Sequence, residues 1–150
     1  MPNHAPVLIA EDDANDAFLL RRAFAKAGIR NPLVVVENGQ EAIDYIRGAG
    51  AYASRQEHPF PCIMFLDLKM PLLDGFDVLA SLRSQPPAQR LPVIVLSSSN
   101  QERDIEQARQ LGADDYRVKP QQFEQLMAIV TEVHDRWLDS NPSSGQHPGG

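Results

Sequence analysis

The sequence predicts a doubly wound α/β domain over residues 5–138, with a five-stranded parallel sheet and five helices covering its two faces. Three observations predict it. Short apolar runs alternate with segments of helical periodicity along the whole span. The runs are apolar throughout rather than at every second position, which suits strands buried on both faces, as parallel strands are. Most runs also stop abruptly at polar residues, and in such sheets ligands bind beyond the carboxyl ends of the strands.

Val7-Leu8-Ile9-Ala10 is the first strand, ending in Glu11-Asp12-Asp13. "ANDAFLLRRAFAKAG" follows as a helix, with Leu20, Ala23, Phe24 and Ala27 on one face and Gly28 as its stop. "PLVVVE" at 32–37 is the second strand, placed at an edge; Asn38-Gly39 reads as a turn. "QEAIDYIRG" is a short helix with Ala42, Ile43 and Ile46 inward, and 48–61 is a long connection whose notable members are Tyr52 and His58. "CIMFLD" at 62–67 is the third strand. A helix from Gly75 to Ser84 places Phe76, Leu79 and Leu82 on one face, and Pro86-Pro87 breaks it. "PVIVLS" at 92–97 is the fourth strand. The helix in "SNQERDIEQARQLG" has a thin apolar stripe of Ile105, Ala108 and Leu111. "ADDYRVKP" carries a short fifth strand. The last helix runs from about Gln121 to Leu138, with Phe123, Leu126, Val130, Val133 and Trp137 on one face. Residues 139–150, rich in Ser, Pro and Gly, read as a disordered tail.

Composition narrows the function. A chain of 150 residues, 43% hydrophobic and 23% charged, fits one domain with a real core, and it holds neither internal repeats nor a second domain. The net charge of −6 and the lack of a Lys/Arg run argue against a nucleic-acid surface. The single cysteine, Cys62, excludes an internal disulfide and reads as a buried, reduced thiol. No basic region followed by an apolar stretch opens the chain and no segment reaches the length of a membrane span, so a cytoplasmic location is the expectation. His4, His58, His134 and His147 are scattered without ligand spacing, and Arg103 and Arg109 read as the solvated face of the fourth helix.

The strand ends carry the chemistry. The first ends in Glu11-Asp12-Asp13, the third in Asp67, the fourth in Ser97-Ser98-Ser99 and the fifth in Lys119-Pro120. Carboxylates gathered at one rim repel one another unless a cation neutralises them. Oxygen ligands with open positions suit Mg²⁺. A carboxylate is a competent nucleophile for phosphoryl transfer, with the metal, a lysine and a serine hydroxyl to hold the transferring group. Alone, Asp67 reads equally well as a helix N-cap. Asp13 reads as the cap of the first helix, Asp16 as a solvated first-turn residue, and Asp74-Gly75 as a turn.

Four pieces, "VLIAEDD", "FLDLKMPLLDG", "LPVIVLSSS" and "GADDYRVKP", stand in an order and spacing that resemble the receiver domain of two-component response regulators. The resemblance implies a flavodoxin-like sheet of order 2-1-3-4-5. It implies a phosphoacceptor rather than an enzyme, with Asp67 phosphorylated by a histidine kinase. Glu11 and Asp12 would form an acidic pair that binds Mg²⁺ with Asp67 and the backbone carbonyl of Lys69. Ser97 would supply the hydroxyl, Tyr116 the switch aromatic and Lys119 the phosphate contact, with a cis peptide before Pro120. Two departures stand out: Ser97 is serine where threonine is commoner, and 48–61 is longer than in the most compact receivers. That length, with "SSSN" at 97–100, resembles stand-alone receivers paired with phytochrome-like kinases. No effector domain follows Leu138, so the expected output is contact with a downstream protein or phosphate relay, not DNA binding. The last helix could also serve a homodimer, although its apolar face is more simply core. An aspartate-nucleophile phosphatase is the alternative; it would usually carry a second Asp where Lys69 stands. A flavin binder would need a phosphate-cradling loop where "EDDAND" is acidic, and a structural receiver would have lost part of the acidic set.

Overall fold

Burial on both faces fixes the sheet. In the structure, a computed structural model that describes residues 5–84, 86 and 88–138, the strands are β1 (Val7–Ala10), β2 (Leu33–Val36), β3 (Ile63–Leu66), β4 (Val93–Ser97) and β5 (Asp115–Val118). All pair in parallel, in the order β2-β1-β3-β4-β5, with β2 at an edge as expected. Every residue of β1, β3 and β4 is buried. Successive residues feed opposite layers. Leu8, Ala10, Met64, Leu66, Val93 and Val95 join one core; Val7, Ile9, Ile63, Phe65, Ile94 and Leu96 join the other. The run of apolar residues is therefore two interleaved faces, each with its own helices.

α1 (Ala14–Lys26) and α5 (Phe123–Val133) cover one face; α2 (Gly39–Arg47), α3 (Gly75–Arg83) and α4 (Glu102–Gln110) cover the other. Leu20, Ala23 and Phe24 of α1 are buried as read, and the Phe24 ring meets Phe65 edge-on at 5.7 Å. Ala27 is only half-buried. In α4 only Ala108 is buried; Ile105 and Leu111 are half-buried, so this helix is the most lightly anchored of the five.

Several elements differ from the sequence expectation. β5 is not apolar: "DYRV" has no buried residue, because it is an edge strand whose Arg117 pairs with Asp115 and Glu132 at the surface. Asn38-Gly39 is not a turn. Asn38 is the N-cap of α2 and its side chain accepts the Glu41 N–H. α5 ends as an α-helix at Val133 and continues through a π-helical turn, His134–Leu138, with Trp137 half-buried on the core. Cys62 is half-buried rather than buried, held by Asn31 and the carbonyls of Ala5 and Pro6; burial pushes its thiol pKa up. The connection 48–61 is pinned by Tyr45, a fully buried α2 residue that the helical pattern did not single out. Its hydroxyl donates to the Pro59 carbonyl, Tyr52 and His58 pack on its ring, and Arg55 donates to the carbonyls of Ile46 and His58. His4, Pro87, His147 and the tail 139–150 lie outside the described residues.

Candidate functional site

Parallel register brings the site together. Ala10 stands opposite Leu66, so the next residues, Glu11 and Asp67, leave the sheet side by side. One further ladder bond holds each: Asp67 N–H donates to the Ala10 carbonyl, and Glu11 N–H to that of Val36. Across β4 and β5, the Lys119 N–H donates to the Ser97 carbonyl at 2.8 Å. Glu11, Asp67 and Ser97 are the buried polar or charged residues among those described, and all three sit at this rim.

The Lys119 ammonium is the hub. It lies 2.8 Å from Glu11 Oε1, 3.0 Å from Asp67 Oδ2 and 2.7 Å from Asp16 Oδ2. Asp16 is therefore a member of the site and not the solvated first-turn residue that its position suggests. Burial pushes the Glu11 pKa up to about 7, because loss of water outweighs the Lys119 and Asp13 hydrogen bonds, and the nearby Asp67 charge pushes the same way. Burial alone would lower the Lys119 pKa, but hydrogen bonds to Asp16, Glu11 and Asp67 together raise it, so the ammonium stays charged.

Glu11, Asp12 and Asp67 each offer a carboxylate oxygen within 4.8 Å of the others. With Asp16 they set four carboxylates against one ammonium. The donors are hard oxygens, Asp12 is exposed, and the surplus charge is negative. Such a set fits a divalent cation of the magnesium or manganese kind that keeps water in its shell.

The loop after β3 is shaped by close packing. Asp67 Oδ1 accepts the Lys69 N–H at 3.3 Å, and the Lys69 side chain points to solvent. Asp67 is not a helix cap. That role falls to Asp74, whose side chain accepts the Asp77 N–H while the Asp77 side chain accepts the Asp74 N–H, a complete capping box. Asp74-Gly75 is thus a helix start rather than a simple turn. A Cβ at Gly75 would lie 2.5 Å from the Asp67 carbonyl oxygen, and one at Gly39 would lie 2.0 Å from that of Leu73. Glycines let both helix starts touch this loop. Between them, Leu72 is held at a φ of 70° with its side chain exposed.

On the other side of Asp67, Ser97 Oγ accepts the Ser99 N–H at 3.2 Å. The Ser99 carbonyl accepts the Tyr116 hydroxyl at 2.8 Å, and the Ser99 hydroxyl donates to Asp104 on α4. Tyr116 therefore reaches Ser97 through Ser99, and α4 is tied to the same residue.

Residues 7–131 match the family described as the response regulator receiver domain. The chain belongs to that family. Among solved structures it is similar to the phosphorylated cyanobacterial phytochrome response regulator RcpA, at 35% identity and a TM-score of 0.84, covering 92% of this chain and 96% of that one. A response regulator in red light signalling of R. palustris matches at 35% identity and a TM-score of 0.85, covering 91% and 95%. The Mn²⁺-bound form of response regulator Rcp1, a protein of Synechocystis, matches at 28% identity and a TM-score of 0.80, covering 91% and 96%. Phytochrome-associated response regulators are thus among its near relatives, and its sheet order is that of the receiver fold. Receivers are phosphoacceptors in signalling that histidine kinases phosphorylate, and they bind a divalent metal. Among the described residues no helix is long and apolar enough to cross a membrane.

In this receiver, the structure brings together Glu11, Asp12, Asp67 and Lys119, and places Ser97 at the buried end of β4 and Lys69 on the loop after β3. Tyr116 stands one residue removed, behind Ser99. The residues missed are Asp16 and Ser99. Asp16 looked like any first-turn acid, and Ser99 like a loop serine, because their partners are distant in sequence or fixed by the fold.

Proposed function

We propose that Asp67 accepts a phosphoryl group from a kinase phosphohistidine in a Mg²⁺-dependent reaction, and that the chain signals by changing a partner-binding face. The observation that carries this is the buried Asp67 carboxylate, with one oxygen on Lys119 and the acids Glu11 and Asp12 beside it. An Asp67 oxygen forms the new bond to phosphorus, the N–P bond of the donor breaks, and its electron pair returns to the imidazole. The product is an acyl phosphate. Glu11, Asp12, Asp67 and the Lys69 carbonyl would hold the cation; when bound, it offsets negative charge on the carboxylates and the incoming phosphoryl oxygens. Lys119 donates to one phosphoryl oxygen and Ser97 to another.

Turning the Ser97 hydroxyl toward phosphate takes it away from the Ser99 N–H. Ser99 also holds Tyr116 and α4, so its shift frees both. Tyr116 then turns inward, and the face made by α4, β5 and α5 changes shape. Similarity to RcpA supports a phytochrome-like histidine kinase as the donor; the output proposed here is contact with a downstream protein or phosphotransfer partner in the cytoplasm. The phosphatase reading is disfavoured by Lys69, which stands where a second acid would be needed and points to solvent. Incubation with acetyl phosphate and Mg²⁺ should add one phosphoryl group per chain, and Asp67→Asn should abolish it. Persistent labelling of the variant would reject the site, and sustained release of phosphate over many turnovers would favour the phosphatase.

A further inference from the structure

The two acidic helix starts of this chain make an internal comparison. α1 begins "DAND" (Asp13 to Asp16) and α3 begins "DGFD" (Asp74 to Asp77), the same Asp-x-x-Asp spacing. At α3 the box closes: each aspartate side chain accepts the other's N–H. At α1 only half of it forms. Asp13 Oδ1 accepts the Asp16 N–H at 2.9 Å, but the Asp13 N–H donates to Glu11 Oε2 at 3.0 Å instead of to Asp16. The Asp16 carboxylate is thereby released from capping, and it lies 2.7 Å from Lys119 Nζ, the shortest of the three ion pairs there.

We infer that Asp16 is a positioning residue for Lys119, holding its ammonium over Asp67 through phosphoryl transfer; the inference rests on the reading of Asp67 as phosphoacceptor. The count of donors carries it. A lysine has three N–H bonds to give, and here they face Asp16, Glu11 and Asp67. When an Asp67 oxygen bonds to phosphorus and the donor's P–O or P–N bond gives its electron pair to the leaving group, the carboxylate charge moves onto the phosphoryl oxygens. Lys119 then redirects its third N–H from Asp67 to one of those oxygens. Glu11 is shared with the cation site. Asp16 is not in that set of ligands, so neither cation nor phosphoryl group claims it. It keeps its bond while the other two partners change, and it does not compete with the phosphoryl group for a donor.

The rival reading is a charge effect. Removing an anion from an acidic rim favours an anionic phosphodonor, and would speed phosphorylation. The two readings differ in sign. The test uses the whole chain with acetyl phosphate at saturating Mg²⁺, following the maximal rate and the half-saturating donor concentration of Asp16→Asn and Asp16→Glu. Loss of an oriented, partly screened ion pair should lower the maximal rate of Asp16→Asn roughly five- to tenfold. Asp16→Glu should recover part of it, and cation affinity should stay within about twofold of wild type because Asp16 is no ligand. The Asp16 N–H that completes the cap is untouched, so the melting temperature should barely move. A maximal rate unchanged or raised in Asp16→Asn overturns the inference, as does a loss that Asp16→Glu does not relieve. Parallel labelling of Asp67→Asn separates the two readings: if that variant still takes the label, the phosphoacceptor assignment has failed, whatever Asp16 does.

Discussion

Gly75→Ala tests whether the loop after Asp67 is held by backbone contact. Gly75 is the first residue of α3, and its N–H donates to the Leu68 carbonyl at 2.9 Å. An added Cβ would stand 2.5 Å from the Asp67 carbonyl oxygen and 2.8 Å from the Leu68 Cα. Both are backbone atoms, so no rotamer change relieves them. The shortfall from the 3.4 Å of ordinary contact is about 0.9 Å. Two effects oppose. Alanine in a helix is favoured over glycine by about 0.5–1 kcal/mol, whereas overpacking costs about 1–3 kcal/mol. Because the clash is with rigid atoms, the upper part of that range applies, and the net loss is about 1–2 kcal/mol. Helix and loop must part by most of an ångström, and the atoms pushed belong to Asp67, the proposed phosphoacceptor, and its neighbour Leu68. A displacement of that size lowers a positioned reaction roughly 10- to 100-fold. Urea unfolding gives the first number and the rate of acetyl phosphate labelling the second. A variant as stable as wild type and labelled at the wild-type rate would show that α3 does not bear on Asp67, and would refute the packing argument.

Two further outcomes follow from the same geometry. Arg83 donates to the carbonyls of Gly112, Ala88, Gln89 and Leu91 and pairs with Asp114, tying the end of α3 to the loop that follows α4. Arg83→Met should cost about 2–3 kcal/mol in urea unfolding, and a loss under about 1 kcal/mol would mean that water replaces those bonds. The second concerns pH. Glu11, raised to about 7 from 4.5, keeps a proton in the folded apo chain that the unfolded chain releases. Apo stability therefore falls as pH rises through that window, while cation binding, which needs the carboxylate, strengthens. Calorimetric Mg²⁺ titrations should show affinity rising about tenfold between pH 6 and 8, with most of the change below 7; a flat profile would mean Glu11 is already ionised at pH 6.

What was legible in the sequence was what depends on runs and periods. β1, β3 and β4 could be read because burial on both faces demands uninterrupted apolar residues, and their ends located Glu11, Asp12, Asp67 and Ser97. Lys119 was found for a different reason: β5 is polar, but Lys-Pro marks where it must stop. Tyr45 escaped because its hydroxyl makes it look amphipathic, and only the returning segment 48–61 supplies the Pro59 carbonyl that satisfies it. Arg83 escaped likewise, since nothing local shows that four carbonyls from two other loops converge on one guanidinium.

Asp16 marks the boundary between the two kinds of residue, and its signal was partly present. Whether an Asp-x-x-Asp helix start closes on itself depends on who takes the N–H of the first aspartate. Two residues before Asp13 stands Glu11, whose carboxylate takes it. Two residues before Asp74 stands Leu72, which has no acceptor to offer, and there the box closes. An acid at that position therefore predicts, from the sequence alone, a second aspartate free for other work. It does not say where that carboxylate goes. Lys119 is 103 residues away, and the partnership exists because β1, β3 and β5 all end at one rim of the same parallel sheet. Local chemistry frees the group, and topology chooses its use.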